Sequence, residues 1–290
     1  MAEFKMKQVY VFAVLLGLSL SPVTYSAPRA VGALPSVTQD IVSAGRLRLQ
    51  SQRLAKLWMQ IGLGINPGMA GMQLSKGLAQ FDQGLADLER YAAKDSTQKS
   101  MARLSSLWLE YRAVLALPYN MNNLKLISYL SEDLMLVTGK LTMKIEEESD
   151  GGAGRLLDLS LRQNMLAQRL ARLYLMAQAG DRSASRLVDI EQTRREFSTA
   201  LEELTSAREN TTASREALEL ARMQWLFFDR AISDMSQGTS SKPTHVATTS
   251  ERILEVLDAV SVEYAQEKSV TSRQGATRRS AANLRVLNYS

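Results

Sequence analysis

The sequence contains no cysteine and a single histidine, His245, in 290 residues. Without cysteine, neither a disulfide framework nor a thiolate metal site can form. One histidine lacks the companion ligands that a metal site needs, and its place beside Pro243 predicts an exposed loop residue. We therefore expect no metal and no cofactor. Because the sequence also lacks a Gly-rich phosphate loop, we expect that the protein is not an enzyme.

Proline and aromatic residues are also scarce, with six prolines and an aromatic content of 6%. Strand patterns, in which apolar and polar residues alternate, are missing as well. Leu, Ala, Met, Gln, Glu and Arg dominate instead, and these are good helix formers. Apolar residues recur at spacings of three and four, for example at Leu47, Leu54 and Leu57. The composition and the spacing together predict an all-α protein.

Eight helices are predicted from this periodicity and from the Gly, Pro and Asn residues that interrupt it. Their predicted ranges are 36–62, 69–93, 97–117, 122–149, 154–180, 183–208, 212–236 and 245–272.

The chain also repeats itself. Residues 51–58 read SQRLAKLW and residues 167–174 read AQRLARLY, an offset of 167 − 51 = 116. Similar offsets relate Phe81 to Phe197, Trp108 to Trp225, and Ser131-Glu132 to Ser250-Glu251. A nearly constant offset over such a span predicts a duplicated domain.

The fold expected from these features is two tandem antiparallel four-helix repeats packed as a pseudo-twofold helical bundle. The first repeat is predicted to span residues 28–150 and the second residues 151–272, with Asp150-Gly151-Gly152 at the junction. Residues 273–290 are basic and have little apolar support, so a disordered tail is predicted there.

Residues 1–27 have the pattern of a secretory signal peptide. Lys5 and Lys7 precede the apolar stretch Val9 to Leu20, and small residues follow, so cleavage is expected near residues 26–33. The rest of the sequence has no apolar run of bilayer length. We therefore expect a periplasmic protein that does not span the membrane after the signal is removed. Export argues against nucleic acid as a partner, although the net charge is +5.

The first motif helix carries several arginines beside small residues. Arg46 and Arg53 flank its apolar face, and the opposite stripe contains Ala44, Arg48, Ser51 and Gln52. The matching stripe of the second copy contains Asn164 and Gln168, with Arg162 and Arg169 on the flank.

Two interpretations of this arrangement stay open. An arginine among small residues at a tight helix interface can bind a planar oxyanion through its fork of donors. Alternatively, the arginines form structural ion pairs, for which Glu110, Glu132, Asp133 and Asp158 are candidates.

The segment Ala44 to Leu54, AGRLRLQSQRL, resembles the periplasmic P-box of nitrate/nitrite sensor histidine kinases, A-G-S-L-R-M-Q-S-Y-R-L. It is also similar to the repeated G-R-Q-R-M-L-S-Q-R-x-A-K-x-Y motif of PilJ-type domains, the N-terminal domains of type IV pilus methyl-accepting chemotaxis transducers. The second copy follows this motif at Arg162, Gln163, Met165, Leu166, Gln168, Arg169, Ala171 and Tyr174.

This resemblance implies nitrate or nitrite binding between the two motif helices, with Arg48 in the role of the P-box arginine. The second copy has Asn164 where a second arginine would stand, and Leu161 in place of Gly45. The residues expected at the ligand are Arg48, Gly45, Ala44, Ser51, Gln52, Asn164, Arg162 and Gln168, supported by Arg46, Arg53 and Arg169.

The resulting hypothesis is a periplasmic sensory protein for a small oxyanion, which passes its signal to a membrane or periplasmic partner. The alternative is a structural or interaction protein of the cell envelope, related to type IV pilus chemotaxis ectodomains and without a small-molecule ligand.

Overall fold

The computed structural model describes residues 37–147, 154–236 and 242–287, with side chains described as far as residue 266. Within these ranges the regular structure is entirely helical, as predicted from the composition. The helices are α1 (Val37–Gly62), α2 (Pro67–Asp87), a short 3₁₀ helix (Glu89–Ala93), α3 (Gln98–Leu115), α4 (Met121–Glu147), α5 (Arg155–Gln178), α6 (Ala184–Ser206), α7 (Thr212–Ser236) and α8 (Pro243–Leu287). They all belong to one contact unit, Pro35–Ser290.

Local sequence explains where several helices begin and end. Pro67 occupies the first turn of α2, where its missing N–H costs nothing. The side-chain oxygen of Ser183 accepts a hydrogen bond from the backbone N–H of Arg186 and caps α6. Gly180 follows α5 with a φ of 108°, a conformation that favours glycine and ends the helix.

The two motif helices, α1 and α5, lie at the centre. α1 packs against α2, α4 and α5, and α5 packs against α1, α6 and α8. Both helices are buried on nearly every face along most of their length. Such helices have little surface left for solvated charge, so polar groups on them need partners inside the protein.

Several contacts recur at the offset seen in the sequence. Phe81 stacks on Trp108, and Phe197 stacks on Trp225. The side-chain amides of Gln52 and Gln168 donate to the carbonyl oxygens of Ser131 and Ser250. The duplication itself stays a prediction, which these recurring contacts support. Trp58, Trp108 and Trp225 are all buried, as expected for core residues.

The second helix differs from its predicted range of 69–93. The α-helix ends at Asp87, and the 3₁₀ helix follows. This tighter turn brings Arg90 and Tyr91 to the buried carboxylate of Asp40 on α1, where both donate hydrogen bonds. A tertiary contact therefore decides the break, and periodicity does not reveal it.

α8 also differs, because it continues to Leu287 and passes the predicted end at residue 272. The backbone of residues 273–287 is thus helical where a disordered tail was predicted. The Ala, Arg, Gln and Leu residues of this stretch favour helix even without an apolar face. His245 is exposed as predicted, yet it lies in the first turn of α8 and not in a loop.

Three sequence expectations lie outside the described residues: the signal peptide at 1–27, the Gly-rich junction at 150–152, and most of the loop between α7 and α8. In the part that the structure describes, none of the helices combines the length and the apolar character that a membrane crossing requires.

Candidate ligand site between α1 and α5

The two central helices approach each other closely at Gly45. A Cβ atom added there would lie 2.7 Å from Leu161 Cδ1, so only glycine fits without displacement. Ala44 beside it is fully buried. Further along, Arg172 Nε of α5 donates to Gln52 Oε1 of α1 at 2.8 Å. Both helices run antiparallel to α8, as the pairs Arg46–Asp258 and Lys56–Ser250 show for α1 and the pairs Ser160–Ser261 and Gln168–Ser250 show for α5, so α1 and α5 run parallel to each other.

Arg48 lies one turn beyond Gly45 and is buried, with 8% of its surface exposed. Its Nη2 atom donates to Asp158 Oδ1 of α5 at 2.6 Å. Its Nε atom has no hydrogen-bond partner among the described residues. A guanidinium has five N–H donors, so Arg48 can serve Asp158 and a second acceptor together.

Glu146, near the end of α4, belongs to the same charge cluster. Burial, helped by the charge of Asp158 and opposed by Arg48, raises the pKa of Glu146 to about 7. A cavity of about 380 Å³ adjoins this cluster and is lined by Glu146, Asp158, Arg155 and Arg162, among others. The cluster is therefore accessible from the surface on the Glu146–Asp158 side.

Asn164 is the residue of α5 that corresponds to Arg48 at the offset of 116. It is 1% exposed, and neither Oδ1 nor Nδ2 has a hydrogen-bond partner among the described residues. Exchanging the amide oxygen and nitrogen cannot relieve this, because both positions lack partners. A buried amide without hydrogen bonds costs about 1–3 kcal/mol, so this position is suited to a water molecule or a ligand.

Most of the other predicted ligand residues are occupied elsewhere. Ser51 donates to the carbonyl oxygen of Arg48 on its own helix. Gln52 and Gln168 hold the carbonyl oxygens described above. Arg162 is exposed and binds Glu196 of α6 at 2.9 Å. Arg46 is exposed and lies 3.6 Å from Asp258 of α8.

Further toward the C-terminal ends of α1 and α5, two buried ion clusters join the two halves of the chain. On one side, Arg53 and Lys56 of α1 bind Glu251 of α8, with the Lys56 Nζ to Glu251 Oε1 distance at 2.5 Å. On the other side, Arg169 and Arg172 of α5 bind Glu132 of α4. The arrangement is that of a twofold interface, in which each half gives its cations to the other half's glutamate. We refer to these two clusters as the reciprocal ion pairs.

Electrostatics in these clusters keep the carboxylates charged. Burial raises the pKa of Glu251, but Lys56 and Arg53 outweigh it and lower the pKa to about 2. Burial raises the pKa of Glu132 as well, but Arg172 and Arg169 outweigh this effect and hold the pKa below its usual value. Desolvation lowers the pKa of Arg172 to about 10, and it lowers that of Lys56 as well. Lys56 and Arg172 are both fully buried cations.

The sequence interpretation missed Lys56 and Arg172 as the central cations, although the repeated motif contains both. It named Glu132 as a candidate partner of the arginines, but it recorded Ser250-Glu251 only as a repeat of Ser131-Glu132 and did not propose Glu251 as a partner. The sequence contained a signal for this pairing. The cations repeat at an offset of 116 and the glutamates at 119, and buried charges of opposite sign are expected to neutralise each other.

The ion-pair interpretation therefore describes most of the named arginines. Arg48, Arg53 and Arg169 each have a carboxylate partner. Of the four candidate acids, Glu132 and Asp158 bind motif-helix arginines, Asp133 binds Arg103, and Glu110 is exposed. What the ion pairs leave unexplained is the combination of Asn164 and the Nε atom of Arg48.

Comparison with known families gives a match for part of the chain. Residues 35–125 match the model for PilJ, the type IV pili methyl-accepting chemotaxis transducer N-terminal domain. The PilJ-like region includes α1, α2, the 3₁₀ helix, α3 and the start of α4, and so contains Arg48 and the first motif. α5 and the second motif lie beyond it. No curated protein and no solved structure matches the chain.

Proposed function

We propose that this chain is a periplasmic sensory module that binds a small planar oxyanion, nitrate or nitrite, between α1 and α5. The observation that carries the proposal is the buried Asn164 side chain, which has no hydrogen-bond partner among the described residues. It lies on the helix that packs against α1, where the Nε atom of Arg48 likewise has no partner in the described part of the chain. A guanidinium edge and an amide NH₂ are both donors to an oxyanion. The PilJ match supports a sensory role, since it covers the motif that contains Arg48.

The charge of the site indicates that the affinity is modest. Asp158 already neutralises Arg48 at 2.6 Å, so an added anion would share the arginine with a carboxylate. Protonation of Glu146, whose pKa is about 7, removes one negative charge from the cluster. Anion binding should therefore be tighter at pH 6 than at pH 8.

A bound anion would act on the packing of the two parallel helices. Contacts to Arg48 on α1 and Asn164 on α5 tie the helices together, and the difference in affinity between two packings sets the size of the shift. Small helix shifts of this type are a known way to pass a signal across an interface. A membrane or periplasmic partner would then read the change.

The test is thermal unfolding with sodium nitrate, nitrite and chloride at matched ionic strength. At ten times its Kd, a ligand stabilises the folded state by about 1.4 kcal/mol, a rise of a few degrees in Tm. Nitrate or nitrite, but not chloride, should give this rise. Asn164→Leu should abolish the rise while leaving the ligand-free protein as stable or more stable, because it removes the unpaired amide.

Arg46→Ala is the matched control for the arginine. Arg46 is on the same helix but is exposed and lies outside the proposed site. The Arg46→Ala variant should keep the nitrate response, whereas Arg48→Ala should lose it. Equal shifts with all three salts, or a nitrate response that survives Asn164→Leu, would rule out the site.

The second candidate is an interaction protein of the envelope without a small-molecule ligand. Exposed apolar residues on α7 favour this role. The thermal melts described above distinguish the two functions, because an interaction protein without a ligand should show no specific stabilisation by nitrate or nitrite.

A further inference from the structure

An apolar seam lies on the outer face of α7. Leu220, Met223 and Phe227 follow one another at spacings of three and four, and Leu226 lies beside them. Their exposed fractions are 49%, 49%, 60% and 63% in the order Leu220, Met223, Phe227 and Leu226. The opposite face of α7, with Trp225 and others, enters the core. Contiguous apolar surface of this type marks an interaction site.

The fold itself does not require this seam, as α3 shows. The offset of 117 that relates Trp108 to Trp225 relates three of the four seam positions to polar residues, Arg103, Ser106 and Glu110, and relates Leu226 to Leu109. Trp108 and Trp225 make the same stacking contact with a phenylalanine, so α3 and α7 have similar orientations toward their cores. The polar residues on α3 are exposed. A helix in this position is thus stable with an outer face that is mostly polar.

Charges at the two ends of the seam indicate what covers it. Glu216 lies two helical turns before Met223, and Arg230 lies two turns after it, on the same face. Two copies of α7 packed antiparallel about Met223 would place each Glu216 opposite the other copy's Arg230. A parallel pair would set like charges against each other. The seam is therefore complementary to itself under a twofold rotation, as an isologous dimer requires.

We propose that the α7 seam is a homodimer interface, in which two copies of this chain pair through antiparallel α7 helices. Leu220 of one copy would then contact Leu226 of the other, with Met223 on the axis. Arg230 is 81% exposed and forms an ion pair with Asp234 on its own helix, so it can exchange that contact at little cost.

The expected dimer is weak. The four apolar side chains expose on the order of 400 Å² per copy, about half of what a stable complex buries on each partner. Association should therefore appear at protein concentrations of roughly 10–100 µM.

Sedimentation equilibrium of the purified protein from roughly 1 to 500 µM tests this. The native protein should change from monomer to dimer across the range. Phe227→Glu should weaken association at least about tenfold, with unchanged helix content. Leu109→Glu is the matched control, because Leu109 is 69% exposed at the α3 position equivalent to Leu226. That variant should dimerise like the native protein.

Charge reversal tests the antiparallel arrangement. Glu216→Arg alone and Arg230→Glu alone should each weaken the dimer, since like charges then meet at both ends. An equimolar mixture of these two variants should associate again, because each copy meets the opposite sign on its partner. A native protein that stays monomeric throughout, or a Phe227→Glu variant that dimerises normally, would overturn the interface. A mixture that fails to associate would overturn the antiparallel pairing.

Discussion

Lys56 and Arg172 are cations with no exposed surface, so each needs a negative partner and hydrogen bonds inside the protein. Removing an ion from water costs several kcal/mol, which an ion pair offsets only when its hydrogen bonds are also satisfied. Arg172 meets this condition through Gln52, Ser128 and Glu132. Lys56 binds Ser250 and Glu251. Each glutamate in these clusters therefore matters more than an ordinary surface carboxylate.

We predict that Glu132→Gln destabilises the protein by about 3 kcal/mol, because it leaves the fully buried Arg172 without a negative partner. Urea unfolding followed by circular dichroism measures this. Asp133→Asn is the matched control: the two acids have similar exposure, 28% and 24%, but the partner of Asp133 is the half-exposed Arg103. The control should change stability by less than about 1 kcal/mol. Equal losses in the two variants would contradict the prediction.

A second prediction at this scale concerns pH. Glu146 has a pKa of about 7 in the folded protein, above its usual value of 4.5. Between these two values the folded state binds more protons than the unfolded state, so this group lowers stability as the pH rises. Glu146→Gln should remove this dependence and be more stable than the native protein at pH 8.

The measurement is Tm from pH 5 to pH 8 for the native protein, Glu146→Gln and the exposed neighbour variant Glu147→Gln. The gap between native and Glu146→Gln should widen as the pH rises. The curve for Glu147→Gln should run parallel to the native curve. If the Glu146→Gln curve is parallel as well, then Glu146 does not titrate in this range.

At the scale of elements, the parallel packing of α1 and α5 depends on a close approach. Helices come near each other where small side chains replace large ones, and Gly45 against Leu161 is such a point here. The same approach brings Arg48 and Asp158 within 2.6 Å. Interface geometry and site geometry are thus set by one contact.

We predict that Gly45→Ala destabilises the protein by roughly 1–3 kcal/mol, because its methyl group would overlap Leu161 and force the helices apart. Alanine normally stabilises a helix relative to glycine by up to about 1 kcal/mol, so a loss identifies the clash. Gly71→Ala in α2 is the control, since nothing lies within 4 Å of the added atom. Thermal melts should show opposite signs for the two variants. A stabilised Gly45→Ala protein would show that the approach is loose.

For the whole molecule, the reciprocal ion pairs predict one cooperative unit. Arg53 and Lys56 depend on Glu251 from the other end of the chain, and Arg169 and Arg172 depend on Glu132. Neither half can open without exposing buried charges of the other. Unfolding should therefore be a single transition.

Single-tryptophan variants test this. One retains Trp108 (with Trp58→Phe and Trp225→Phe), and the other retains Trp225 (with Trp58→Phe and Trp108→Phe). In each variant, the fluorescence transition should coincide with the transition seen by circular dichroism. A tryptophan that reports unfolding well before the overall helix content falls would indicate two independent halves.

The periodicity of the sequence predicted each α-helix in the described part of the chain, because a buried helical face leaves apolar residues at spacings of three and four. It missed the break at Asp87, because that break depends on a contact with the distant Asp40. It also ended α8 too early, because the helix continues past residue 272 without an apolar pattern.

The same division holds at the site. Arg48 and Asn164 were located from the motif and the repeat, since both are properties of residue order. Packing decided the partners of these residues. It paired Arg48 with Asp158 and Arg162 with Glu196, and it placed each buried glutamate against the cations of the other half. Residue order by itself determined the helical class and the two motif helices, because helix formation follows local spacing. Only the tertiary structure decided which charge neutralises which, because electrostatic partners are set by distance in space and not by separation along the chain.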